Sequence, residues 1–123
     1  MGTWFETATF ACVKAGNDPH HYEDHAACSS PHGMPSRPGR FAVADGATVS
    51  VFAKAWAMAL AEAFVSSRRK EWQDHGWLAR ARRRWSELVL AQPLPWNVAV
   101  KVQAGAYAAL AGLHLARPHA GRS

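Results

Sequence analysis

Apolar and polar residues alternate with one period in the first third of the chain and another beyond it. Thr3 to Lys14 is rich in Thr, Phe, Val and Trp without a helix-start signal, which predicts a strand. Gly16-Asn17-Asp18-Pro19 places four turn-forming residues in a row and ends it. Glu23 to Ser30 predicts a short second strand, and Arg40 to Ala44 a third. Between them the nine residues from Pro31 to Gly39 hold three prolines and two glycines, a loop across which the two strands are expected to pair antiparallel.

From Val49 the spacing becomes helical. Val49, Phe52, Ala53, Trp56, Leu60, Ala63 and Phe64 recur at intervals of three and four, and Thr48 or Ser50 is placed to cap the helix. Its end is expected near Ser66-Ser67, where Arg68, Arg69 and Lys70 complement the dipole. A second helix is predicted over Gly76 to Leu90, with Leu78, Ala81, Trp85, Leu88 and Val89 inward, and Pro93 and Pro95 stop it. Asn97 to Ala104 has room for one or two further helical turns. Gly105 to Leu115 is almost wholly apolar and bracketed by glycines, and is read as a buried strand. The fold class predicted is therefore mixed α/β, with antiparallel strands and two helices on one side of them.

Composition narrows this picture a little. Among the 123 residues, 49% are hydrophobic and 19% charged, which suits one packed domain and excludes global disorder. No apolar run approaches the roughly 18 residues that a membrane span requires, and the N-terminus lacks a signal-peptide pattern. A cytoplasmic protein with no membrane partner is the expectation. Cys12 and Cys28 are too few for a disulfide framework and read as reduced core thiols. The charge of +5 comes mostly from arginine, with Arg80, Arg82, Arg83 and Arg84 on the second helix. That helix is read as a solvated face. The alternative is a non-enzymatic binding module docking nucleic acid or another anionic partner. The six tryptophans read as core residues rather than as a base-stacking platform.

Candidate chemistry is concentrated in the acids. Phe41-Ala42-Val43-Ala44-Asp45-Gly46 is an apolar strand ending in a carboxylate and a residue without a side chain. Carboxylate oxygens are hard ligands, and glycine lets its backbone carbonyl approach a cation closely. Glu23-Asp24 lies about twenty residues upstream by the same count of the chain. The plainer readings are a turn whose Asp45 caps the following helix, and a solvated strand end at Glu23-Asp24. His20, His21, His25 and His32 with Cys28 form a local cluster, but without a zinc-binding spacing they read as solvated loop histidines.

The order strand, Glu23-Asp24, strand, Ala44-Asp45-Gly46, helix, helix and Gly105-led apolar strand resembles the metal-dependent type 2C (PPM-type) serine/threonine protein phosphatases. Asp45-Gly46-Ala47-Thr48 followed by Phe52, Trp56, Leu60 and Phe64 looks like a bacterial branch of that family, and Lys101 with Gly105-Ala106-Tyr107-Ala108 looks like the opening of its next central strand. The likeness covers about residues 8 to 115, which correspond to the first half of a family domain. It implies an α-β-β-α sandwich cut short, and two Mn²⁺ or Mg²⁺ ions in a complete member. Asp45, the Gly46 carbonyl and Glu23 would be metal ligands, with Asp24 holding a metal-bound water or a neighbouring ligand. The implied activity is hydrolysis of phosphoserine or phosphothreonine in a phosphoprotein by water that two cations activate, with no protein nucleophile.

The chain departs from the family pattern at three places. Pro19 to Tyr22 stand where a phosphate-binding arginine is usual, Ala47-Thr48-Val49 replaces a double glycine, and the sequence stops at Ser123 before the aspartates of the other metal. The resemblance therefore implies an incomplete domain that is weakly active or inactive alone and binds at most one cation, weakly. It also implies self-association through exposed sheet edges.

Overall fold

A computed structural model describes residues 24–28, 39–47, 52–68 and 70–115. Three strands, β1 (His25–Cys28), β2 (Gly39–Gly46) and β3 (Ala108–Leu115), form one antiparallel sheet in the order β1-β2-β3. Four helices accompany them: α1 (Ala53–Val65), α2 (Glu71–Asp74), α3 (Gly76–Leu90) and α4 (Trp96–Gln103). The mixed α/β class and the antiparallel pairing of the second and third predicted strands are both present. The predicted strand over Thr3 to Lys14 lies outside the described residues.

Register decides which side chains share a face. Ala42 of β2 sits opposite Ala27 of β1 and Gly112 of β3, and Ala44 sits opposite His25 and Leu110. This face is built from small residues, so α1 can lie close to it, with Ala57, Ala61 and Val65 packed against Ala42 and Ala44. On its other side α1 offers Ala59, Leu60 and Ala63 to Ala81 of α3. A helix apolar on two sides is a buried helix, and α1 is the middle layer between sheet and α3. The approach is close at Gly112, where an added Cβ would stand 2.6 Å from the Phe64 ring.

The helix ends differ from expectation in informative ways. α1 starts at Ala53, because Phe52 adopts a left-handed conformation (φ 57°) that a bulky residue seldom takes. Its carbonyl accepts the Trp56 N–H (3.1 Å) and the Trp85 indole N–H (3.3 Å), which ties α3 to the start of α1. No side chain among the described residues caps this end, and Thr48 and Ser50 lie outside them. At the other end no basic residue sits in the last turn. Serines close it instead: Ser66 Oγ donates to the Glu62 carbonyl (2.9 Å) and Ser67 Oγ to that of Phe64 (2.5 Å). Arg68 uses its backbone N–H on Glu71 Oε1 (2.8 Å), and Arg69 is outside the described residues.

α3 has the predicted bounds, with Ala81 and Val89 buried and Trp85 half-buried against Trp56. α4 realises the expected turns after Pro95, but none of its residues is buried. Trp96 is 82% exposed, so this tryptophan is not the core residue expected of it. No helix among the described residues is long and apolar enough to cross a membrane.

Candidate metal centre

β2 ends where the expected chemistry lies. Its even-numbered residues face α1, so Ala42 and Ala44 are buried while Asp45 is exposed on the opposite, open face. Gly46 is buried and closes the strand opposite Ala108. The following Ala47 N–H donates to the Tyr107 carbonyl (2.9 Å), extending the β2–β3 ladder one step past the acid. Asp45 therefore stands at a strand end held on its β3 side by the ladder.

The β1–β2 register supplies a second carboxylate. His25 pairs with Ala44 as the last pair of the ladder, and Asp24 and Asp45 are the residues immediately beyond that pair on the two chains. Directly opposed residues in an antiparallel pair lie about 4.5–5.5 Å apart at Cα and share a face. Asp24 is half-buried and Asp45 exposed. Of the two upstream acids, Asp24, which sequence reading assigns to the outer shell, is the one that adjoins the last β1–β2 pair, whereas Glu23 lies outside the described residues. Among the described residues no group of three or more His, Cys, Asp or Glu side chains is gathered as a metal cluster.

The histidine cluster does not converge among the residues described. His25 is in β1, not a loop, and its Nε2 faces Glu62 Oε1 of α1 at 3.4 Å. Cys28 is three residues along the same strand, hence on the other face, and is exposed instead of a core thiol. His20, His21, His32 and Cys12 lie outside the described residues.

The arginines of α3 are divided among different tasks. Arg80 is bound to Glu71 (3.1 Å) and reaches the Ala63 carbonyl (3.5 Å), and Arg84 lies 3.7 Å from Glu87. Arg82, Arg83 and Arg84 are consecutive, so they point about 100° apart around the helix and do not form one flat basic face. All three are exposed, as a solvated helix surface requires.

A polar cluster at the opposite end of the sheet carried no sequence signal. Arg40 and His114 are cross-strand partners separated by 74 residues, and Arg40 Nε donates to His114 Nδ1 (3.3 Å). The Arg40 guanidinium also donates to the Ser67 carbonyl and lies 5.5 Å from the centre of the Trp72 ring. The Trp72 indole N–H donates to Ser67 Oγ (2.8 Å), and Ser67 is fully buried. The chain matches no protein-family model, no curated protein and no solved structure.

Proposed function

We propose that this chain is a type 2C-like, metal-dependent phosphoserine/phosphothreonine phosphatase domain, carrying one part of its cation site at the end of β2. The observation that carries the reading is the β1–β2 pairing, whose last pair, His25 with Ala44, leaves Asp24 and Asp45 each one residue beyond it at the same end of neighbouring strands. Two aspartates are hard oxygen donors and suit Mn²⁺ or Mg²⁺ rather than a thiolate-seeking ion. Asp45, Asp24 and the Gly46 carbonyl would hold the cation, and Glu23 is the remaining donor by sequence. A bound divalent cation supplies charge neutralisation at phosphoryl oxygens and a more acidic water.

The protein's own contribution is placement. Asp45 is exposed, so a phosphoester can approach it from the open face, while the ladder bond from Ala47 to Tyr107 fixes the strand end that bears it. At most four carboxylate oxygens and one carbonyl oxygen leave a hard cation short of its usual six or more ligands, which accords with weak binding and little activity for this chain alone.

Calorimetric titration of the full chain with Mn²⁺ tests this. Asp45→Asn should weaken binding at least tenfold, and Asp24→Asn measurably, while Arg82→Ala with Arg83→Ala leaves it unchanged. Equal affinity in wild type and Asp45→Asn would overturn the proposal. Steeply salt-dependent nucleic-acid binding, lost with Arg82 and Arg83 and indifferent to Asp45, would instead establish the anionic-docking module.

A further inference from the structure

The sheet has one covered face and one open face. α1 packs on the side of Ala42 and Ala44, and α3 lies beyond α1, so the layers run open face, sheet, α1, α3. No described element packs on the other side. There the strand parity sets Ala26 and Cys28 of β1, Phe41 and Val43 of β2, and Ala111 and Leu113 of β3. Val43 is 58% and Leu113 53% exposed. A contiguous apolar face left in water favours contact with a second apolar surface.

Two rows of this face differ in size. The register aligns Ala26, Val43 and Ala111 across the three strands, a row with small residues at both flanks. Two residues along, Cys28, Phe41 and Leu113 align as a larger row. A two-fold axis that crosses the strands midway between these rows, in the plane where two such faces meet, exchanges them. The larger row of each copy then lies over the smaller row of the other, with β2 running opposite to β2. Side chains of two packed sheets interdigitate in this way, and a two-fold contact must be complementary to itself. Charge does not oppose the contact. Arg82, Arg83 and Arg84 belong to α3, the layer farthest from the open face. Asp45, two residues beyond Val43, is carried to opposite rims in the two copies, so these carboxylates do not meet.

We propose that the open face of the sheet is a homodimer interface, on which a second copy of this chain lies face to face about that axis. Three strands about 4.8 Å apart, up to eight residues long at about 3.3 Å per residue, bury on the order of 1,000 Å² when two such faces meet. That area is the lower limit for a specific interface, so the dimer is weak and forms with rising concentration. The contact does not depend on a cation at Asp45.

Sedimentation of the full chain from about 5 to 500 μM tests the interface, with alkylation of Cys28 read by peptide mass spectrometry at the same concentrations. Wild type should pass from monomer to dimer, and Cys28, exposed in the single chain, should be alkylated at least threefold more slowly over the same range. Val43→Lys places an ammonium group in the middle of the contact and should abolish both effects. Ala111→Phe makes the face more apolar but fills the row that Leu113 enters, so it should weaken the dimer at least tenfold. Should Val43→Lys fail to fold, Ala111→Phe and the Cys28 rates of wild type decide. A wild type that stays monomeric, a folded Val43→Lys that still dimerises, a dimer whose Cys28 reacts at the monomer rate, or an Ala111→Phe protein that associates as well as wild type would each overturn the proposal.

Discussion

Replacing Gly112 with alanine adds one methyl group where the Phe64 ring of α1 lies against β3. The new Cβ would lie 2.6 Å from Phe64 Cε1 and Cζ and 3.0 Å from Cε2. Carbon atoms in favourable contact stand about 3.5–4.0 Å apart, so the overlap is about 1 Å. The ring has little room to retreat, being stacked on Trp72 and met edge-on by Trp77 at 5.8 Å. Overpacking of this kind costs about 1–3 kcal/mol. Removing glycine's unfolded-state freedom returns about 0.5–1 kcal/mol, leaving a net loss of about 1–2 kcal/mol. With a urea dependence of about 1.5 kcal/mol per molar, the unfolding midpoint should fall by about 1 M at unchanged slope. Phe64→Leu in the same background should cost less than the two single losses added together, since it removes the atoms being struck. A Gly112→Ala protein as stable as wild type, or strict additivity with Phe64→Leu, would refute the close-approach argument.

Two further outcomes follow from the same packing. Glu71→Ala removes the acceptor of the Arg68 N–H and the partner of Arg80, whose Nε is buried without a hydrogen bond. It should cost about 1–2 kcal/mol and lower Tm by several degrees in calorimetry, and a wild-type Tm would show the pair to be idle. Leu113→Lys places a charge on the open sheet face, where Leu113 is 53% and Val43 58% exposed. Sedimentation should then show a self-associating wild type and a monomeric variant, and identical profiles would remove this face from the interface.

What the sequence made legible was the sort of information carried by neighbours. α3 could be bounded to the residue because Gly76 and the Pro93–Pro95 stop flank a clean inward stripe. β3 was readable because Gly105 precedes an almost wholly apolar run, although Gly112 lies within the strand and does not end it. The start of α1 was not, since the left-handed turn at Phe52 follows from the tertiary arrangement at its carbonyl and not from local propensity. Four-residue α2 is too short to show a period at all. Cross-strand register was the largest gap. Nothing local specifies that His25 pairs with Ala44, which brings the ends bearing Asp24 and Asp45 together, or that Arg40 meets a histidine 74 residues away. Such pairings are set by how strands slide against each other, which depends on turns and packing elsewhere.

That sliding freedom bears on β2 itself. Greasiness alone would align this strand the wrong way round, because Phe41 and Val43 are more apolar than the alanines that actually lie beneath α1. Shifting by a single residue would bury those larger side chains, but it would also thrust the Asp45 carboxylate under the helix and turn the Arg40 guanidinium away from Ser67 and Trp72. Opposite charges at opposite ends, on opposite parities, act as two keys that fit only one alignment. The ionic residues of β2 thereby favour the observed alignment over its one-residue neighbours.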